Sequence, residues 1–118
     1  MNPYGISEIT AAELVEKMTD GDEFFLVDVR EAPELLRANL GQQVIHMPLS
    51  DLAQRYFEAI PDALSLEKER EVVFFCHHGI RSAQVCAFFK ANGWTNVLNL
   101  AGGIDAYARD VDPAIGFY

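Results

Sequence analysis

The residues with the most chemistry in them stand together in one stretch, Phe75-Cys76-His77-His78-Gly79-Ile80-Arg81-Ser82. A cysteine thiolate is a soft nucleophile that can carry a covalent intermediate. Four apolar residues, Val72-Val73-Phe74-Phe75, lead into Cys76, and helical spacing resumes at Arg81 or Ser82 with Val85, Cys86 and Phe89 on one face. Cys76 therefore falls where a buried strand ends and the free N–H groups of a helix N-terminus converge. Those donors, the helix dipole and the Arg81 cation five residues on all favour a thiolate, and then any anionic group attached to it. Gly79 can adopt positive φ, which lets a tight loop turn its amides inward. A cysteine that merely packs at a strand end would leave the glycine, the arginine and the helix start without a purpose. His77 and His78 either bind a donor and tune the thiolate, or point to solvent from the rim.

Other reactive types carry weaker signals. Asp28 and Arg30 flank the end of a second apolar run over residues 24–29, with Glu31 next. Their types suit a support, with Asp28 accepting backbone hydrogen bonds and Arg30 pairing with a carboxylate. Cys76, His77, His78 and Cys86 offer metal-binding atoms, but no C-x-x-C or H-x-x-x-H spacing accompanies them, and no metal is expected. Cys86 lies among apolar neighbours and reads as packing; only exposure beside Cys76 would make it a resolving thiol. Trp94 reads as core.

These residues need a scaffold, and the chain alternates short apolar runs with segments of helical period. Thr10 and Glu13 have capping-box spacing, with Ala11, Leu14, Val15 and Met18 on one face until Asp20-Gly21-Asp22 breaks the helix. Strands are expected over residues 24–29, 44–47, 72–75 and 97–100. Pro33 opens an expected second helix carrying Leu35, Leu36 and Leu40 to a stop at Gly41. Leu52, Tyr56, Phe57 and Ile60 mark a third, stopped by Pro61. The helix after Cys76 stops at Asn92-Gly93, and Gly102-Gly103 opens a short one through Tyr107. The alternation gives an α/β fold with a largely parallel sheet covered on both faces, where sites form at the carboxyl ends of strands.

Composition narrows the classes. The 118 residues, half of them hydrophobic, suit one domain with a real core. A net charge of −9 disfavours nucleic-acid binding, which needs clustered cations, and repels small anions at long range. No apolar run is long enough to span a membrane. Met1-Asn2-Pro3-Tyr4-Gly5 has no basic-then-apolar pattern, so a cytoplasmic location is expected. Two cysteines are too few for a disulfide-stapled scaffold. A monomer is expected, and the apolar tail over residues 111–118 is expected to dock on the domain or on a partner.

Three segments resemble the rhodanese family: Leu26-Val27-Asp28-Val29-Arg30-Glu31, Cys76-His77-His78-Gly79-Ile80-Arg81-Ser82, and Leu100-Ala101-Gly102-Gly103-Ile104-Asp105-Ala106-Tyr107. They come in the family's order, and the match covers nearly the whole chain. The resemblance implies a single rhodanese-like domain over residues 1–118, with a five-stranded, mostly parallel sheet flanked by helices. It also implies a sulfurtransferase of the thiosulfate:cyanide type. Cys76 would attack the outer sulfur of a small sulfane-sulfur donor or a protein persulfide, and pass it to cyanide, a thiol or a protein cysteine. Backbone amides from His77, His78, Gly79, Ile80, Arg81 and Ser82 would cradle the persulfide, with Arg81 assisting its charge and Asp28 and Arg30 beneath as support. No cofactor is implied.

Two departures bear on the substrate. Vertebrate-type thiosulfate enzymes carry permanent charges where this loop has histidines, which makes a protein persulfide a donor to weigh against thiosulfate. Many relatives have a Gly-His pair entering the third strand, where this chain reads Asn39-Leu40-Gly41-Gln42-Gln43; His46 and Pro48 still fall near that strand's end. Phosphatases and arsenate reductases of similar architecture keep five residues between cysteine and arginine, against four here. A noncatalytic interaction module is the reading from another class, although such modules often lose the nucleophile or the arginine and this chain keeps both.

Overall fold

Val72-Val73-Phe74-Phe75 is buried along its whole length, because alternate side chains of the strand enter two different cores. Val72 and Phe74 belong to one cluster, and Val73 and Phe75 to the other. Burying a Val or Phe side chain contributes roughly 1.5–3 kcal/mol, so this strand is the natural centre of the molecule. The computed structural model describes residues 2–41 and 43–118; Met1 and Gln42, the latter inside the segment that departs from the family pattern, lie outside them.

The strands are β1 (Glu8–Ile9), β2 (Phe25–Asp28), β3 (Ile45–His46), β4 (Val72–Phe75) and β5 (Val97–Leu100). All pair in parallel, in the order β1-β5-β4-β2-β3. The helices are α1 (Ala11–Thr19), α2 (Leu49–Arg55), α3 (Asp62–Leu66), α4 (Ile80–Ala91) and α5 (Gly103–Asp110). On one face Leu52, Leu64, Val85 and Phe89, from α2, α3 and α4, meet Val27, Val72 and Phe74. On the other, Leu14 of α1 and Ile104 of α5 meet Leu26, Val73, Phe75 and Leu100. This is the expected α/β architecture. No helix among the described residues is long and apolar enough to cross a membrane.

Local chemistry accounts for several boundaries. The α1 capping box forms as expected: Thr10 Oγ1 accepts from Glu13 N at 3.1 Å, and Glu13 Oε1 accepts from Thr10 N at 2.9 Å. α4 runs from Ile80, a residue or two earlier than its periodicity suggests, and α5 continues past Tyr107 to Asp110. The two-residue edge strand β1 carries no periodicity of its own; it completes the five strands that the resemblance implies, one more than the apolar runs mark.

Two expected helices differ. The segment opened by Pro33 is only a 3₁₀ turn, Ala32–Leu36, and Leu36 is 91% exposed. The buried Arg30 guanidinium donates to the carbonyls of Glu34 at 3.2 Å and Ala38 at 2.9 Å, which shapes this segment around a side chain rather than as a helix. The other expected helix, through Ile60, stops at Tyr56, the one non-glycine residue with positive φ (52°) among those described. A 3₁₀ turn, Tyr56–Ala59, follows and leaves Tyr56 and Phe57 exposed, while Leu52 and Ile60 are buried. Pro61 ends this segment and stands just before α3, making no side-chain cap.

Candidate active site

Cys76 continues β4 past its last pairing residue and turns its side chain toward the α4 face, where it is 2% exposed. Its Sγ accepts from Gly79 N at 3.1 Å and Ser82 N at 3.4 Å, with Ser82 Oγ also 3.4 Å away. The loop therefore wraps the sulfur in N–H groups at a helix start, as its sequence suggests. Gly79 is required twice over. Its φ is +95°, and an added Cβ would press against Leu100 O at 3.2 Å and Gly102 N at 3.3 Å.

The outer side of the loop is held by α5. Ile104 N donates to Cys76 O at 2.9 Å and Asp105 N to His77 O at 3.0 Å. Gly103, at φ +63°, passes so close that a Cβ would collide with both of those carbonyl oxygens. The Gly102-Gly103 pair thus does more than open a helix: it lets two backbones touch.

Arg81 stands by the loop and is engaged by a carboxylate. Its guanidinium donates both terminal nitrogens to Glu34, at 2.7 and 2.8 Å. The side-chain bonds to Arg81 are the main reason the Glu34 carboxyl is held down to about 2, and the same bonds push Arg81 up. The cation near Cys76 is therefore already paired. Glu34 also accepts from Glu31 N at 2.9 Å and from the Tyr118 hydroxyl at 2.9 Å. Nothing in the sequence around Glu34 or Tyr118 ties either to the cysteine loop, because their partners lie 47 and 84 residues away.

Beneath the loop, Arg30 is fully buried and Asp28 nearly so. Arg30 Nη2 lies 2.8 Å from Asp28 Oδ2, and Arg30 N donates to Asp28 Oδ1 at 2.9 Å. Arg30 Nη1 reaches Tyr118 Oη at 3.1 Å, and His46 Nε2 lies 2.7 Å from Arg30 O. A buried charge with this many partners is consistent with support, and removing one partner of such a pair costs about 3–5 kcal/mol.

The two loop histidines divide. His77 is half-buried, its ring stacked 3.7 Å from Tyr118 at 6° and 3.8 Å from His78 at 30°. Burial and the neighbouring His78 lower its tendency to protonate, and its Nε2 has no partner among the described residues. His78 is mostly exposed, 4.0 Å from Asp105. Ile80 is exposed at the rim, whereas Ser82 is buried. His77, His78 and Asp105 bring three metal-binding atoms within 4.8 Å of one another. The His77 ring is already stacked on Tyr118 and on His78. Asp105 is moreover engaged by Arg109 at 2.7 Å.

Cys86 is buried in the core cluster, lies 3.6 Å from Leu98 O, and is pushed by that burial up to about 12, an environment that suits packing. Trp94 is core, donating to Leu64 O at 3.0 Å. The tail docks on the domain through the 3₁₀ turn Pro113–Ile115 and Tyr118.

Residues 10–110 match the family described as the Rhodanese-like domain. A protein of Allochromatium vinosum named sulfurtransferase is 33% identical over 111 residues, covering 93% of this chain and 95% of that one. A tRNA uridine(34) hydroxylase of Sodalis glossinidius is 31% identical over 92% of this chain, which spans only 30% of that enzyme. Among solved structures, a rhodanese-related protein of Thermoplasma volcanium superposes with a TM-score of 0.71 at 26% identity, over 89% of this chain and 93% of that one.

Proposed function

Because this chain belongs to the Rhodanese-like domain family, we propose that it is a sulfurtransferase that carries sulfur as a persulfide on Cys76. The observation that carries this reading is the Sγ atom itself, with the N–H groups of Gly79 and Ser82 directed at it. In the first half-reaction the Cys76 thiolate attacks the outer sulfur of a donor. A new S–S bond forms, the donor's own bond to that sulfur breaks, and its electron pair leaves with the donor, as sulfite when the donor is thiosulfate. In the second, a thiol or cyanide attacks the outer sulfur of the persulfide and the Cys76 thiolate departs. The cradle stabilises the anion at both ends of the cycle, and no redox partner is needed.

The pairing of Arg81 with Glu34 bears on the donor. A small dianion finds no unpaired cation from Arg81 at the loop and meets a net charge of −9. A protein persulfide, whose sulfane sulfur brings at most one negative charge to the loop, suits the site better, with a thiol or protein cysteine as acceptor. The hydroxylase relatives act as whole proteins more than three times the length of the match, so that activity is not carried over.

Intact mass after incubation with thiosulfate, and separately with a cysteine-desulfurase-type protein persulfide, tests the reading. A gain of about 32 Da, reversed by cyanide or dithiothreitol and absent from Cys76→Ala, is expected. No gain from either donor would leave a docking module as the better account.

A further inference from the structure

Ser82 Oγ has two neighbours and one hydrogen. It lies 3.4 Å from Cys76 Sγ and 2.5 Å from Asn99 Oδ1, and among the described residues it has no other hydrogen-bond partner. Asn99 is fully buried on β5, and its amide orientation is set by its surroundings. One side faces two acceptors, Gly79 O at 3.1 Å and Glu8 Oε2 at 2.9 Å, so that side must be the NH₂ group. The amide oxygen therefore faces Ser82, and it can only accept. The Ser82 hydroxyl is thus committed as a donor to Asn99, and it turns lone pairs rather than hydrogen toward the sulfur.

We propose that Asn99 is a positioning residue for the chemistry at Cys76: it withholds the Ser82 hydroxyl from the thiolate and leaves the charge to the two backbone N–H groups alone. The protonated thiol can donate to Ser82 Oγ, while the thiolate gains nothing from it unless the hydroxyl abandons Asn99. Asn99 in this way sets how much of Cys76 is ionised at a given pH, and so how fast it attacks a donor. This consequence for turnover rests on the sulfurtransferase reading; the effect on the thiol does not.

Other charges stand around the loop. Arg81 and Cys86 on α4 both interact electrostatically with Cys76. Asp28 and Arg30 of β2 pair with each other, His77 and His78 lie in the loop beside Asp105 of α5, and Glu8 of β1 sits behind Asn99. Of these only Glu8 is touched by the variants, because Asn99→Leu removes its amide donor; that loss is the same with and without Ser82, so the Ser82→Ala background isolates the hydroxyl's part.

The test is the pH dependence of iodoacetamide alkylation at Cys76, followed on its own peptide because Cys86 is a second thiol. Asn99→Leu releases the hydroxyl to the sulfur, and the alkylation midpoint is expected to fall by about one unit, a roughly tenfold faster reaction below it. In a Ser82→Ala background the same substitution is expected to move nothing. Ser82→Ala alone, a conservative change with little risk to folding, is expected to leave the midpoint unchanged or lower, since the thiolate loses no donor. A midpoint that rises in Ser82→Ala overturns the proposal, as does an Asn99→Leu shift that is absent, upward, or persists without Ser82. Alkylation needs no sulfur donor, so it separates this inference from persulfide loading of the wild-type protein, on which the function depends.

Discussion

Glu34 holds Arg81 through two hydrogen bonds, and its ionisation makes a measurable contribution to stability. Its carboxyl drops from 4.5 to about 2 on folding. A depressed carboxylate contributes stability that is fully present above the unfolded value and is lost as pH falls through the folded one. For a pair partly open to solvent the contribution is roughly 1–3 kcal/mol. Glu34→Gln is therefore expected to lower Tm by roughly 4–10 °C at pH 7, with the gap to wild type closing between pH 4.5 and 2. A gap that stays constant across thermal melts at pH 7, 4 and 3 would show that the ion pair is not its source. The same residue marks where the candidate site escapes a linear reading. Cys76, Gly79 and Ser82 were legible because the turn that joins them is local. Glu34, Asn99 and Tyr118 reach the loop only through the packing of distant segments, and nothing in their own neighbourhoods distinguishes them. Arg81 was legible as a cation but not as a paired one, for the same reason.

At the scale of elements, the loop is clamped between the start of α4 and the start of α5, and the clamp depends on missing side chains. Gly103→Ala forces a Cβ onto the Cys76 and His77 carbonyls, neither of which can yield, at a φ of +63°. The expected cost is about 2–4 kcal/mol, read as a lower Tm together with at least tenfold slower persulfide loading. Gly21→Ala is the control. Its φ is +73° but nothing lies within 4 Å of the added carbon, so only about 1–2 kcal/mol of left-handed strain is expected, with loading unchanged. Equal effects on loading would mean the clamp does not shape the cradle. Elements with strong patterns, such as β4, β5 and the capped α1, were readable because one local signal dominates each. The segments after Pro33 and around Tyr56 were not. There the apolar spacing suits a helix, but the Arg30 side chain and a left-handed backbone at Tyr56 dictate the path.

For the molecule as a whole, 18 acidic residues against 9 basic ones set a field that opposes anionic donors. Screening weakens that field, since the Debye length falls from about 30 Å at 0.01 M salt to about 8 Å at 0.15 M. Persulfide loading from thiosulfate is expected to accelerate about two- to fivefold as KCl rises across that range. A rate that falls with salt would show that local cations at the loop outweigh the global charge. The order of assembly is also written into the scaffold. Glu8 and Asn99, 91 residues apart, meet behind the cysteine loop, and the α5 backbone that closes over Cys76 comes later still. A newly made or unfolded chain therefore carries the Cys76 thiol without its shelter until β5 and the start of α5 have packed against the loop. During that interval the thiol has neither its donors nor its cover, and it depends on the reducing capacity of its surroundings to reach the folded protein unoxidised.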